Sequence, residues 1–350
     1  GFRLDTVNYY FHDKKLRDNP KSPITFNRPP VNPYYMQNQI FAINQDENLI
    51  FLNKLRELLD VYPEKTLVGE IGDSHRAVEI MKSYTRNSRL HMAYSFELLG
   101  KEFSSLFIRS TLEQFFQEGE ESWPCWSFSN HDVTRHVTRW CKDETESFAK
   151  LTCALLLSLK GTPCIYQGEE LGQTETELLY EEITDPPGIR FWPNNKGRDG
   201  CRTPMTWNHK LNNAGFSDVI PWLPVKDKQK SRSVSIQEKE PNSVLNFYKK
   251  FIAYRKLDSA LTEGNQMFLS DKNNILVFLR ECKDSKTLCI FNLGPLQHAI
   301  KRFFNYDDNE VISSEVKLTK NGIEINKYGF MIISNIQIET KYLKDIFNIN

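Results

Sequence analysis

The stretch ENLIFLNKLRELLDVYPEKTLVGEIGDSHRAVEIMKSY, residues 47–84, sets the fold class because it places a strand pattern between two helix patterns. Leucines recur at helical spacing through Glu47–Tyr62, which predicts an amphipathic helix. The short apolar run Thr66–Ile71 predicts a buried strand, and Ser74–Tyr84 predicts a second helix with Ser74 as its N-cap. A strand between two helices is the unit of a parallel sheet that helices cover.

The same alternation continues on both sides of this stretch. Gly1–Val7 predicts a strand upstream, and further strands and helices follow downstream. A loop rich in Gly, Pro, Asn and Trp lies between Gly168 and Val225, and a loop of that length usually has a functional role. The downstream strands are His91–Phe96, Trp126–Ser129 and Pro163–Tyr166, and the downstream helices are Ser105–Gln117, Glu144–Lys160 and Ser243–Lys256.

Beyond Asp258 the pattern changes to short alternating runs separated by Asn, Asp and Gly. Period-two alternation with polar turns is typical of antiparallel strands. We therefore expect two parts: residues 1–258 form an α/β unit, and residues 259–350 form a small all-β domain. The strands expected in the second part are Asn274–Arg280, Thr287–Phe291, Glu310–Leu318 and Phe330–Ser334.

The composition argues against several classes of protein. The 350 residues include 45 Lys and Arg against 45 Asp and Glu, so the formal net charge is zero and a nucleic-acid partner is not expected. No apolar run approaches ~18 residues, so no membrane-spanning helix is expected. The seven cysteines lack zinc-site or redox-pair spacing, which predicts free thiols, no metal site and a reducing, cytoplasmic location.

Three acidic residues stand at matching places in this pattern. Asp5 lies near the end of the first strand, Glu70 near the end of the second, and Asp132 just after the strand Trp126–Ser129. In a parallel α/β barrel the carboxyl ends of all strands meet at one face, where the active site lies. Glycoside hydrolysis uses two carboxyl groups that lie close together on either side of the bond that is cleaved. Chance placement is the alternative, because the chain has 45 acidic residues.

The local sequences around these acids resemble a known family. GFRLDTVN around Asp5, LVGEIGD around Glu70 and FSNHDVTR around Asp132, followed by GTPCIYQGEELG, occur in one order. Together they resemble the second, third and fourth conserved segments of the α-amylase superfamily, glycoside hydrolase family 13. The later runs GIRFWPNNKGRDGCRTPMTW (188–207) and PWLPV (221–225) resemble its α-glucosidase branch.

The resemblance covers residues 1–259 and implies that they form the C-terminal part, strands 4–8, of a TIM (β/α)8 barrel. The family's first conserved segment, its first three strands and the small domain inserted after strand three have no counterpart in this sequence. Five strands cannot close a barrel, so we expect an incomplete chain that is inactive alone. The missing N-terminal half would belong to the same or a separate chain. No cofactor is expected, since a structural calcium of the family would lie in that half.

The resemblance also implies a role for each acid. Asp5 matches the catalytic nucleophile, Glu70 the general acid/base, and Asp132 the acid that stabilises the transition state. Arg3 lies two residues from Asp5, and an adjacent guanidinium favours the ionised, nucleophilic carboxylate. The apolar residues before Glu70 are expected to desolvate it and favour the protonated acid. A retaining mechanism needs the two carboxyl groups about 5–5.5 Å apart.

Five further residues are implied to bind substrate. Arg3 matches the arginine beside the nucleophile, His131 the histidine that hydrogen-bonds the sugar, and Arg198 the arginine that closes the terminal-glucose subsite. Phe96 resembles an aromatic wall of the site. Thr6 follows the nucleophile, where Ala or Thr resembles α-1,4-preferring enzymes and Val resembles α-1,6-preferring ones.

These assignments predict an exo-acting, retaining α-glucosidase that releases terminal α-1,4-linked glucose from short gluco-oligosaccharides through a covalent glucosyl-enzyme intermediate. Two alternatives are a transglycosylating or isomerising relative, which forms the same intermediate, and a non-catalytic transporter-accessory homologue, which keeps the fold. The second alternative is disfavoured because function depends on the site, and the three acids are retained.

Other reactive side chains have structural interpretations. Glu169 and Glu170 are adjacent, so their side chains point apart and a role in loop structure is expected. Cys201 has no placed histidine partner and is expected to be structural. His12 and Asp13 provide too few ligands for a metal. The tryptophans that either line the sugar entrance or simply pack are Trp192, Trp207 and Trp222.

Overall fold

The structure, a computed structural model, has two parts. Parallel strands and helices come first along the chain, and an antiparallel sheet follows. The described residues are 1–25, 30–73, 76–116, 122–301, 311–319, 322–337 and 340–347.

Where the chain is described, five short parallel strands make up the wall that positions the site: β1 Phe2–Leu4, β2 Leu67–Ile71, β3 Met92–Ser95, β4 Cys125–Trp126 and β5 Thr162–Pro163. β1, β2 and β3 pair in that order, and β4 pairs with β5. A parallel bridge between Ala93 and Pro124 joins the two groups, so the strands neighbour one another in chain order. Consecutive parallel strands with helical connections form the wall of a (β/α)8 barrel.

Five helices accompany these strands: α1 Asp46–Asp60, α2 Ala77–Thr85, α3 Ser105–Phe115, α4 His136–Trp140 and α5 Glu146–Ser158. The Ser104 and Thr145 hydroxyls cap α3 and α5, since each accepts a backbone N–H from the first turn. The helices predicted in this region are present with bounds shifted by a few residues. The predicted N-cap Ser74 and the predicted helix end Gln117 lie outside the described residues.

The strands are shorter than the sequence predicted, most clearly at the N-terminus. β1 ends at Leu4, whereas the prediction extended it to Val7. Thr6 has a left-handed backbone with φ 42°, which a strand does not accommodate, and Val7–Tyr9 form a short 3-10 helix. Asp5 therefore lies just beyond the strand.

The connection from the wall to the sheet contains five more helices: α6 Pro186–Phe191, α7 Asp227–Lys230, α8 Val234–Gln237, α9 Val244–Leu257 and α10 Ser259–Glu263. The predicted long loop is thus interrupted by short helical turns. α9 packs along α5, and the C-terminal sheet also contacts α5. α5 is buried nearly all round because of these contacts, which explains its continuous apolar sequence.

In the described residues the C-terminal sheet has six antiparallel strands: β6 Asn265–Ser270, β7 Ile275–Glu281, β8 Lys286–Asn292, β9 His298–Lys301, β10 Val311–Thr319 and β11 Gly322–Ile333. Its order is β10-β11-β8-β7-β6, and β9 also pairs with β11. This confirms the expected all-β part. β6, β9 and the final helix α11, Thr340–Phe347, were not predicted.

The two parts of the chain share one hydrophobic cluster, which includes Phe148 of α5, Phe251 of α9 and Phe330 of β11. The ring centroids of Phe247 and Phe330 lie 5.6 Å apart where the two parts meet. A division of the chain at residue 258 into separate domains therefore remains a prediction.

In the described part of the chain, no helix combines the length and the apolar character that crossing a bilayer requires.

Candidate active site

Two carboxylates from neighbouring strands meet on one guanidinium at the carboxyl end of the parallel wall. β1 and β2 pair with Leu4 opposite Gly69, which brings the next residues, Asp5 and Glu70, side by side. Arg3 Nη1 forms an ion pair with Asp5, and Arg3 Nη2 lies 2.8 Å from Glu70 Oε1. The side chain of Asp5 is 71% exposed, whereas that of Glu70 is 3% exposed. One carboxylate is therefore open and the other buried.

Tyr94 on β3 is a residue of this site that the sequence analysis missed. Its hydroxyl donates to Glu70 Oε1 at 3.0 Å and accepts from Arg3 Nη2 at 2.8 Å. Burial raises the pKa of the Tyr94 phenol, so the hydroxyl stays protonated at neutral pH. Tyr94 stands opposite Glu70 in the register of β2 and β3. Pairing the two predicted strands was the signal that could have found it.

The backbone after β1 holds the second oxygen of Glu70. The Thr6 N–H donates to Glu70 Oε2 at 3.0 Å. A β-branched residue with φ 42° is strained, and such residues concentrate at functional sites. The sequence predicted that Arg3 pairs with Asp5, but the Arg3 guanidinium contacts both Asp5 and Glu70. We call Arg3, Asp5, Glu70 and Tyr94 the strand cluster.

A second cluster surrounds Asp132, beyond the end of β4. Asp132 Oδ1 accepts from Arg198 Nη1 at 2.9 Å and from Arg202 Nη2 at 3.0 Å. His131 Nε2 lies 3.3 Å from Asp132 Oδ2. Asp185 in turn accepts from the backbone N–H, Nε and Nη2 of Arg198 at 2.7–3.2 Å. We call these five residues the loop cluster.

Electrostatics fixes Arg198 between two carboxylates. Its hydrogen bond to Asp185 raises the pKa of Arg198, so the guanidinium stays charged. Burial acts to raise the pKa of Asp185, but the hydrogen bonds from Arg198 outweigh burial and hold that pKa below its ordinary value. Arg202 and Asp185 were missed because their contacts depend on the path of a long loop. The second arginine of GRDGCR was the available signal for Arg202.

Phe96 links the surroundings of the two clusters. It follows β3, is half-buried, and packs in one hydrophobic group with Tyr94 and Val133. Val133 is the neighbour of Asp132 in sequence. The structure therefore gathers every residue that the sequence analysis assigned to the site into these two clusters or beside them. Their catalytic and binding roles remain predictions.

The cysteines, which were expected to be structural, lie outside the two clusters. Burial raises the pKa of the Cys201 thiol to about 12, so it stays protonated and weakly nucleophilic. All seven cysteines are free.

Glu169 is buried, and the His136 Nδ1 atom lies 3.4 Å from the Glu169 Oε1 atom. Exposed Trp207 and Trp222 line a shallow cavity. Among the described residues, no group of three or more His, Cys, Asp or Glu side chains could hold a metal ion.

Comparisons with known sequences find relatives of this chain. The family model "Alpha amylase, catalytic domain" matches residues 1–264. The chain is 46% identical over 302 residues to a probable alpha-glucosidase of Rhizobium meliloti (strain 1021), covering 84% of this chain and 55% of that relative. It is 30% identical over 277 residues to an oligo-1,6-glucosidase of Heyndrickxia coagulans, covering 68% of this chain and 49% of that relative. The chain thus spans about half the length of these curated relatives.

Solved structures agree on the fold. A crystal structure of the alpha-glucosyl transfer enzyme XgtA superposes with a TM-score of 0.87 at 39% identity, covering 96% of this chain and 64% of that one. The trehalose-6-phosphate hydrolase of Bacillus licheniformis gives a TM-score of 0.77 at 23% identity, covering 95% and 65%. At that identity the second match speaks for the fold alone. The predicted fold class, part of a (β/α)8 barrel followed by an all-β sheet, is confirmed.

Proposed function

Because the chain belongs to the α-amylase family of catalytic domains, we propose that it carries the nucleophile and the general acid/base of a retaining α-glucosidase. The observation that supports this most is the strand cluster, in which the single guanidinium of Arg3 contacts both Asp5 and Glu70. Two carboxylates at close range are what a retaining glycosidase requires. The substrate is a short gluco-oligosaccharide with a terminal α-1,4-linked glucose.

In the first step, Asp5 attacks the anomeric carbon of the terminal glucose. A bond forms between its carboxylate oxygen and that carbon, while the bond from the carbon to the glycosidic oxygen breaks. Glu70 transfers its proton to the departing oxygen. The exposed side chain of Asp5 suits it to reach the sugar, and the buried Glu70 lies beside it.

In the second step, water resolves the glucosyl-enzyme. Glu70 takes a proton from the water while the water oxygen bonds to the anomeric carbon. The bond between that carbon and Asp5 breaks at the same time. Two displacements return the glucose in the α configuration. A transferring relative would differ only in replacing the water with a sugar, so product analysis distinguishes the two.

The loop cluster binds the terminal glucose in this proposal. Asp132, Arg198 and His131 offer an acceptor and donors to the sugar hydroxyls, and hydrogen bonds that strengthen in the transition state speed the reaction. Asp185 holds Arg198 in one orientation before the sugar arrives. A group oriented in advance loses less entropy on binding.

The linkage preference rests on Thr6. Its side chain follows the nucleophile, and its N–H binds the acid Glu70, so Thr6 adjoins the place where the leaving oxygen departs. A small polar side chain at this place supports cleavage of α-1,4 bonds in preference to α-1,6 bonds.

Activity in this proposal also needs the strands that complete the barrel. β1 and β5 each pair with a single strand among the described residues, and the chain covers 55% of the Rhizobium meliloti relative. Half of the wall around the terminal glucose then comes from residues outside this sequence, in the same or a separate chain. The 350-residue chain alone would hydrolyse no maltose.

The test is to produce the chain alone and together with the part of the Rhizobium meliloti relative that lies outside the matched region. Glucose release from maltose and isomaltose is measured for both, with Asp5→Asn as the inactive control. We expect activity only in the completed protein, with maltose preferred. Full turnover by the chain alone would contradict the need for completion. Full activity of the Asp5→Asn variant would contradict the assignment of the nucleophile.

A further inference from the structure

A buried arginine links the loop that carries Asp132 to the turn that carries the two arginines of the loop cluster. Arg135 follows Asp132 by three residues and is 3% exposed. Its Nη2 donates to the Cys201 carbonyl at 3.0 Å, and its Nη1 donates to the Gln167 carbonyl at 2.8 Å. Because a buried guanidinium needs acceptors for its hydrogens, these two carbonyls fix the direction in which Arg135 points.

Tyr166 holds the same carbonyl from a second direction. Its hydroxyl donates to the Cys201 carbonyl at 3.0 Å, and the guanidinium carbon of Arg135 lies 5.1 Å from the centroid of its ring. Burial raises the pKa of the Tyr166 phenol, so the hydroxyl is protonated and donates at neutral pH. The Cys201 carbonyl therefore accepts two hydrogen bonds from donors that also pack on each other. We call Arg135, Tyr166 and the Cys201 carbonyl the carbonyl clamp.

The backbone beside the carbonyl clamp leaves room for it. Gly168 directly follows Gln167, whose carbonyl accepts from Arg135, and has φ 88°. A Cβ on Gly168 would lie 2.8 Å from Arg135 Nη1, which is too close for these two atoms. The positive φ and the close approach both favour glycine. A side chain at this position would displace the guanidinium from its two carbonyls.

The clamped carbonyl lies directly before Arg202 in the chain. The short 3-10 helix Asp199–Cys201 separates Arg198 from Arg202, and the Cys201 carbonyl belongs to the peptide bond that joins this helix to Arg202. Since a peptide unit is planar, a fixed carbonyl also fixes the backbone N–H of Arg202. That N–H donates to the Asp199 carbonyl at 3.0 Å. The clamp therefore sets the point from which the Arg202 side chain begins.

Arg202 spans the same gap in the opposite direction. From the turn, its Nη2 donates to Asp132 Oδ1 at 3.0 Å and its Nε donates to the His131 carbonyl at 2.7 Å. Arg135 reaches from the loop of Asp132 back to the turn. Arg202 touches Asp132 itself, whereas the buried Arg135 holds the carbonyl that precedes Arg202. Any effect of Arg135 on Asp132 through the turn therefore passes through Arg202.

We propose that Arg135 and Tyr166 are positioning residues for Asp132: by holding the Cys201 carbonyl, they keep Arg202 in hydrogen-bond contact with Asp132 before a sugar arrives. A carboxylate that an oriented guanidinium holds presents its other oxygen to the sugar in one direction and loses less entropy on binding. This inference rests on the proposed function, because it takes Asp132 as the acid that stabilises the transition state.

The kinetic test asks whether the carbonyl clamp acts through Arg202. Tyr166→Phe removes one donor to the Cys201 carbonyl and keeps the ring. In the completed protein, its effect on kcat/KM for maltose is measured in the parent and in an Arg202→Met background. We expect about a fivefold loss in the parent and less than about a twofold further loss once the Arg202 guanidinium is gone. A fivefold loss in both backgrounds, or none in the parent, would overturn the proposal.

The matched control is Tyr328→Phe, which also removes a single hydroxyl. Tyr328 lies on β11, is half-buried as Tyr166 is, and packs on Phe148 with ring centroids 4.9 Å apart. We expect this variant to keep the kcat/KM of the parent, and thermal unfolding shows whether the two variants lose similar stability. Equal losses of kcat/KM in the two variants would overturn the proposal, because general packing would then explain both.

A structural arm separates this proposal from the proposed function. Crystal structures are determined for the 350-residue chain and for Arg135→Met. If that variant does not fold, Arg135→Lys combined with Tyr166→Phe takes its place, because it keeps a buried positive charge. We expect Arg202 Nη2 to lie more than about 3.5 Å from Asp132 Oδ1 in the variant. An unchanged contact overturns the proposal. If the contact is lost but the completed protein hydrolyses no sugar, the proposed function fails and the carbonyl clamp stands.

Discussion

The strand cluster and the loop cluster hold their carboxylates in different ways. Glu70 is surrounded by groups from three neighbouring elements, and the register of β1, β2 and β3 places them. Asp132 depends on Arg198 and Arg202, which lie far along the chain, and Asp185 orients Arg198. Backbone pairing fixes the first arrangement, and side-chain ion pairs fix the second. The second is therefore the one that a single substitution can loosen while the wall stays folded.

The largest effect is expected from Glu70→Gln in the strand cluster. The amide keeps the shape of the side chain but cannot protonate the leaving oxygen, so kcat/KM for maltose should fall about 10³-fold in the completed protein. α-Glucosyl fluoride needs little protonation on departure and should lose much less in its glycosylation step. Pre-steady-state kinetics with both substrates measures this. Equal losses in that step would contradict the role of Glu70 as the acid.

A smaller effect is expected from Asp185→Asn in the loop cluster. The substitution weakens the hold on Arg198, and a misplaced binding group can lower kcat/KM by about 10- to 100-fold. Most of the loss should appear in KM, since Asp185 does not touch the reacting atoms. The matched control is Asp227→Asn, because that side chain is 98% exposed and pairs only at the surface. Identical kinetics for the two variants would show that Asp185 does not position Arg198.

A third prediction concerns stability beneath the loop cluster. Glu175 accepts the backbone N–H of Arg135 at 2.8 Å, and Arg135 donates to the Cys201 carbonyl at 3.0 Å. Burial raises the pKa of Glu175 to about 7, so the folded state favours the protonated acid. This contribution to stability is full below the unfolded pKa of about 4.5 and is lost as the pH rises through 7.

Glu175→Gln should therefore stabilise the chain at pH 8 by about 2 kcal/mol and have little effect near pH 4, because glutamine keeps the acceptor oxygen without the buried charge. Urea unfolding at several pH values measures the difference. A gain that is independent of pH would show that ionisation of Glu175 is not its cause.

The smallest effect is expected from Tyr94→Phe in the strand cluster. The variant removes a hydroxyl that bridges Arg3 and Glu70, and a lost hydrogen bond of this kind costs about 1 kcal/mol. Because the backbone register still places both partners, kcat/KM should fall by less than about tenfold. Thermal unfolding and steady-state kinetics check both values, with the exposed Tyr180→Phe as the control. A loss as large as that from Asp185→Asn would mean that register alone does not hold the strand cluster.

The same contrast explains how far the sequence could predict the site. Asp5 and Glu70 were placed together because strand ends in a parallel wall converge, and the register of β1 and β2 brings these two residues side by side. Tyr94 was within reach of the same reasoning. Arg202 and Asp185 were not, because no periodicity governs the path of the loop between residues 168 and 225. Family resemblance alone supplied Arg198.

The sequence also could not predict where the strands end or where irregular turns occur. Hydrophobic pattern extended β1 to Val7, but the left-handed backbone at Thr6 ends it at Leu4. Neither the composition nor the hydrophobic periodicity of the sequence indicates a positive φ at Thr6. That backbone conformation depends on tertiary contacts such as the hydrogen bond to Glu70.

The most direct test of the account is to look for the covalent intermediate. The Glu70→Gln variant of the completed protein is mixed with α-glucosyl fluoride, quenched and digested, and the peptides are weighed by mass spectrometry. We expect one hexosyl group on the peptide that contains Asp5, attached to Asp5, and none when Asp5→Asn is added. A hexosyl group on any other residue, or product formed with no labelled peptide at any time, would contradict it.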